Sequence, residues 1–112
     1  MIRAVLRLRV RPGREEEFEA VWREISGSVR DTPGNLRQVL LRDAGDPRCY
    51  VISSDWETAA AFRSFERSPE QDVLTAPLRA LRESAEMTVH EVVASVEADT
   101  AHLAEMRVEG RR

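Results

Sequence analysis

The first eleven residues constrain the chain more than any other stretch. Ile2, Ala4, Leu6, Leu8 and Val10 alternate with Arg3, Val5, Arg7, Arg9 and Arg11. An alternation of period two predicts a β-strand with one clean apolar face. Pro12-Gly13 ends it. The other face of this strand carries Arg3, Arg7 and Arg9. Guanidiniums held against a sheet need carboxylate partners or a ligand. Ion pairs with Glu86, Glu91 or a second subunit are the plain expectation; an anion or phenolate site is the functional one.

The rest of the chain fills in around that strand. From Arg14 to Arg30, Phe18, Val21, Trp22, Ile25 and Val29 form one apolar stripe at helical spacing. Glu15, Glu16 and Glu17 stand in its first turn, where the helix dipole favours negative charge. Asp31 to Asn35 reads as a turn. Leu36 to Asp43 and Cys49 to Asp55 read as strands two and three, joined by a hairpin loop through Gly45 and Pro47. A second helical region starts near Thr58, with Ala61, Phe62 and Phe65 on one side. Pro69 stands at the first position of a further helix, and Pro77 predicts a kink or restart before Leu78. Met87 to Ala94 reads as strand four. The order is β-α-β-β-α-β. It predicts a ferredoxin-like α+β domain over residues 1–95, with a four-stranded antiparallel sheet, helices on one face and strand one in the middle. Residues 96–112 form a polar tail, either disordered or an arm over a second subunit, and Ala98, His102 and Met106 permit a short helix there.

Strands two to four are apolar on both faces in this reading. Leu36 and Leu40 oppose Val39 and Leu41; Tyr50 and Ile52 oppose Cys49 and Val51; Met87, Val89 and Val93 oppose Val92 and Ala94. A solvated face is polar, so the second face is expected to meet another copy, giving a homodimer whose sheets pair.

The totals exclude several classes. The chain has 112 residues, enough for one core, and a net charge of -3, which argues against a nucleic-acid partner. All 17 basic residues are arginine. The single cysteine, Cys49, permits no internal disulfide and fits a reducing cytoplasm. No run is apolar and long enough for a membrane span. His90 and His102 are not spaced as metal ligands, and no phosphate loop or nucleophile elbow occurs. Chemistry in such a chain falls to scattered polar groups in an apolar pocket, with no metal and no recognisable cofactor.

Several segments resemble the antibiotic biosynthesis monooxygenase family. They are Val10-Arg11-Pro12-Gly13-Arg14-Glu15-Glu16-Glu17-Phe18, Thr32-Pro33-Gly34-Asn35, and Asp55-Trp56-Glu57 followed by Ala61-Phe62 and Ser68-Pro69. The resemblance spans about residues 3 to 94. It implies a ferredoxin-like fold, dimers formed through the sheets, and cofactor-free chemistry on aromatic polyketides. Phe65 to Gln71 and Thr75 to Arg79 most resemble members from aromatic polyketide and spore-pigment clusters. Phe65 stands where members often carry His. Leu6 and about Ala76 stand where haem-degrading members need Asn and His, which sets that activity aside.

The candidate site follows. Trp56, Asn35 and His90 are the candidate catalytic residues. Trp56 is placed at the pocket wall by the resemblance, or is a core aromatic. Asn35 is a hydrogen-bond donor to a phenolate or peroxide oxygen, or a turn residue after Gly34. His90 is a proton-transfer group near neutrality, or structural. Tyr50, Phe62, Phe65, Arg79 and Trp22 are the candidate substrate-binding residues. Tyr50 is a second proton-transfer candidate. The other three aromatics line a flat cavity or form plain core, and Arg79 holds a phenolate or is solvated. The leading functional expectation is a cofactor-independent monooxygenase that oxidises a phenolic polycycle of the anthrone type to a quinone. The alternatives are an aromatic polyketide cyclase and a non-catalytic dimeric partner in a biosynthetic complex, the last favoured if Trp22, Phe62, Phe65 and Trp56 fill the pocket.

Overall fold

A computed structural model describes residues 1–98. Its elements run β1 (Ile2–Val10), α1 (Glu15–Arg30), β2 (Asn35–Arg42), β3 (Cys49–Trp56), α2 (Ala59–Arg67), α3 (Pro69–Ala80) and β4 (Arg82–Glu91). The strands form one antiparallel sheet in the order β2-β3-β1-β4. This is the ferredoxin-like α+β arrangement, with the alternating N-terminal strand in the interior of the sheet. The helices cover the face that carries Ile2, Ala4, Leu6, Leu8 and Val10.

Local chemistry sets the helix starts. Thr58 Oγ1 accepts from Ala61 N at 3.0 Å and caps α2. Ser68 Oγ accepts from Gln71 N at 3.4 Å and caps α3, and Pro69 follows at a position whose N–H would be unpaired in any case. Pro77 does not restart the helix as its sequence predicts: α3 continues to Ala80. Only one backbone donor is lost there, close to the helix end.

Two glycines shape the loops before the helix-side walls. Gly13 has φ +78° and closes the turn into α1. Gly34 has φ +84°, and a Cβ built on it would lie 2.5 Å from Ala61 Cβ. No side chain fits there, so the turn before β2 seats directly against α2.

Strand four differs from expectation. It starts at Arg82, directly after α3, and ends at Glu91. Val92, Val93 and Ala94 lie beyond it, and Val93 is exposed. The uncovered face of β4 is therefore polar, with Ser84, Glu86, Thr88 and His90 beside Arg9, Arg7, Val5 and Arg3 of β1. The argument from two apolar faces fails for this half of the sheet. It survives for β2 and β3, where Val39, Leu41 and Val51 form an apolar strip that Val5 of β1 extends. Leu36 falls at a register shift between Asn35 and Arg37 and is exposed.

The arginine face of β1 also finds different partners from those expected. Arg3 makes a two-bond fork to Asp55, at 2.7 Å and 3.0 Å, and Arg9 bonds Asp46 at 3.0 Å. Glu86 and Glu91 form no ion pair among the described residues; Arg7 faces Glu86 across the strands without one. The short helix through Ala98, His102 and Met106 and the proposed arm fall largely outside the described residues. No helix among them is long and apolar enough to cross a membrane.

Candidate functional site

The core between sheet and helices is in two parts. Leu8, Val10, Phe18, Tyr50 and Leu81 form one cluster. Ile2, Ala4, Trp56 and Phe62 form the other. Between them lies a cavity of about 420 Å³, within the range of about 300–1,000 Å³ usual for small-molecule sites. Leu6, Ile52 and Met87 floor it from the sheet, and Trp22, Phe62 and Phe65 wall it from α1 and α2. Its polar groups are Ser26, Gln38, Ser54, Gln71 and Thr75, with the charged Arg79, Arg82, Glu66 and Asp72. An apolar slot with sparse polar anchors suits a flat, largely hydrophobic ligand.

The structure brings together only part of the expected site. Trp22, Phe62, Phe65 and Arg79 line the cavity. Trp56 does not. It is fully buried behind the wall, with its ring 5.7 Å from Phe62 and 4.9 Å from Phe65. Its Nε1 donates to Ser54 Oγ at 2.9 Å, and Ser54 does line the cavity. Trp56 thus orients a hydroxyl whose own proton can point into the cavity. Asn35 borders a neighbouring hollow of about 330 Å³, which shares Trp22, Ser26 and Gln38 with the main cavity. Its Nδ2 is buried without an acceptor.

Two candidates stand apart. His90 lies on the uncovered face of the sheet, opposite Arg3, and its ring contacts Thr88 Oγ1 at 2.9 Å. The alternation of β4 sends Met87 toward the cavity and His90 away from it. Tyr50 is buried in the core, 5.1 Å from Phe18, and its hydroxyl donates to Glu19 at 2.6 Å. Burial, and then that carboxylate, push its pKa up. Cys49 donates to Asp46 at 3.2 Å, which with burial raises the thiol pKa and suits a filler rather than a nucleophile.

Arg79 is held in place by its own helix. Nη1 donates to Thr75 Oγ1 at 2.7 Å, Nη2 donates to the Asp72 carbonyl at 2.8 Å, and the Asp72 carboxylate lies at 3.3 Å. These bonds fix the guanidinium beside the cavity before any ligand arrives. Sequence reasoning missed Gln38, Ser54, Glu66, Gln71, Thr75 and Arg82. For the two on strands a signal existed: Gln38 follows the parity of the inward Leu40 on β2, and Ser54 stands between the inward Ile52 and Trp56 on β3.

An antiparallel four-stranded sheet with a cavity under its helices defines the ferredoxin-like α+β class. Within that class, residues 1–76 match the family described as antibiotic biosynthesis monooxygenase, and the chain belongs to that family. It is 31% identical over 77 residues to the 42.8 kDa protein in the whiE locus of Streptomyces coelicolor, and 30% identical over 77 residues to Protein SchA of Streptomyces halstedii. Each match takes in 69% of this chain but only 19% and 20% of those relatives' lengths. The structure is similar to that of SnoaB, a cofactor-independent oxygenase from Streptomyces nogalater. The TM-score is 0.77 and the identity 27%, over 87% of this chain and 97% of that one. A family protein from Nitrosomonas europaea shares the fold at a TM-score of 0.74 and 17% identity, over 84% of this chain and 100% of that one.

Proposed function

We propose that the chain is a cytoplasmic tailoring enzyme of aromatic polyketides, a cofactor-independent monooxygenase that oxidises a phenolic polycycle from anthrone to quinone. The observation that carries this reading is the apolar cavity between the two core clusters, with Arg79 fixed at its edge. Membership of the family and the likeness to SnoaB support it.

In this reading the rings lie between Leu6, Ile52 and Met87 on one side and Trp22, Phe62 and Phe65 on the other. Expulsion of water strengthens the pull of Arg79 on a developing enolate oxygen. Ser54, oriented by Trp56, donates to a second oxygen. Glu66 borders the cavity without an ion pair among the described residues, and takes the first proton from the methylene carbon. The resulting carbanion gives its electrons to dioxygen and forms a carbon–oxygen bond. Loss of the second methylene proton breaks the oxygen–oxygen bond, leaves a carbonyl and releases water. One anthrone and one dioxygen thus give one quinone and one water. His90 has no part in this path, and Asn35 acts only on a substrate that extends into the adjoining hollow.

The same reading makes the protein a homodimer joined through the strip of Val5, Val39, Leu41 and Val51. The pocket is not filled by its aromatics, so the condition for a purely non-catalytic partner is unmet. The test is dioxygen uptake and product mass with an anthrone. Uptake with a quinone product is expected. With a poly-β-ketone supplied in place of the anthrone, a cyclised product lighter by water, formed with no uptake, would replace the oxygenase with the cyclase.

A further inference from the structure

The five least exposed arginines among the described residues are Arg3, Arg9, Arg48, Arg79 and Arg82. The first four have carboxylate partners in Asp55, Asp46, Glu83 and Asp72. Arg82 has none among the described residues, although it lines the cavity. Burial, and then the charge of Arg79, lower its pKa. A half-buried guanidinium next to a second one is costly unless an anion answers it. A second orphan faces the same space. Gln71 lines the cavity, and its Oε1 is buried without a donor. A cation lacking an anion and an acceptor lacking a donor describe one ligand, bearing an ionised acid and a hydroxyl.

We propose that Arg82 is a specificity-determining residue that binds a carboxylate carried by the aromatic ligand, while Gln71 Oε1 accepts from a ligand hydroxyl. The inference rests on the cavity being the substrate site, and it narrows the substrate class to polycyclic aromatic acids. Arg79 then remains available to the oxygen that gains charge during reaction. Arg82 contributes to recognition of the ground state. Its removal raises KM and leaves kcat little changed.

The test is binding, followed by quenching of tryptophan fluorescence, of an anthraquinone monocarboxylate and of the same ring system with methyl in place of the carboxylate. The protein is expected to favour the carboxylate by about ten- to a hundredfold. Arg82→Gln removes that preference without weakening the methyl compound, and Arg82→Lys, which keeps the charge, retains part of it. Equal affinity for the two probes, binding of neither, or a preference that survives in Arg82→Gln overturns the inference. If Arg82→Gln does not fold, Arg82→Lys and the unmodified protein still decide. In that case a preference absent from the unmodified protein, or undiminished by lysine, overturns it. Binding is read without turnover. Carboxylate preference through Arg82 with no dioxygen uptake refutes the oxygenase reading alone, and uptake with equal affinities refutes this inference alone.

Discussion

Gly34→Ala is expected to destabilise the chain for two separable reasons. The backbone there has φ +84°, a region that costs an L-residue about 1–2 kcal/mol. Loss of chain freedom in the unfolded state returns about 0.4–1 kcal/mol. The new Cβ also meets Ala61 Cβ at 2.5 Å. Ordinary contact needs roughly another ångström, so α2 must move outward, and such overpacking costs about 1–3 kcal/mol. The net loss is about 2–4 kcal/mol, read as a shift of the urea midpoint at constant slope. Ala61→Gly alone costs about 0.5–1 kcal/mol in the helix. Combined with Gly34→Ala it removes the clash but leaves the dihedral strain. The double variant should therefore be more stable than the sum of the single effects by about 1–3 kcal/mol. A coupling below about 0.5 kcal/mol refutes the steric part, and a neutral Gly34→Ala refutes the whole argument. Because α2 carries Phe62 and Phe65, the single variant should also weaken binding of a polycyclic ligand.

Trp56→Phe keeps an aromatic ring against Phe62 and Phe65 but loses the donor to Ser54. A stability loss of about 1–2 kcal/mol and reduced turnover of an anthrone are expected; unchanged turnover removes Trp56 and Ser54 from the site. Asp55 is held below the ordinary carboxylate range, first by its hydrogen bond from Arg3. As pH falls, the unfolded chain takes up this proton before the folded one does. The contribution is complete above about pH 5 and is lost through pH 4 and below, so Asp55→Asn should flatten the acid limb of urea midpoint against pH. Val51→Asp on the uncovered sheet face should shift the molar mass by light scattering from dimer to monomer; an unchanged mass would relocate or remove the interface. His90→Ala should leave turnover of an anthrone unaltered, and a marked loss would bring the uncovered face into the chemistry.

The interior of the fold was legible because its periods are clean. The alternation of Ile2 to Val10 and the stripe of Phe18, Trp22, Ile25 and Val29 each admit one structure, and Pro69 marks its helix start. Strand four was misplaced because it lies at the sheet edge. Arg82-Glu83-Ser84 has no apolar alternation, follows α3 without a turn signal, and is extended only because β1 pairs with it. The same slip put apolar residues on both faces of β4. For the site, residue type located the aromatics but not their depth. Trp22 and Phe65 line the cavity while Trp56 stands one layer behind, a distinction set by helix packing rather than by spacing. His90 was assigned to the site from its titration range, and strand parity puts it on the other side.

The division of the core has a practical consequence. A folded chain with a space between two apolar clusters is missing part of its own packing, and a bound ring system supplies it. Any molecule that fits must then raise the melting temperature by mass action. A library of aromatic compounds can be ranked by thermal shift alone, so a ligand can be sought without any assay of turnover.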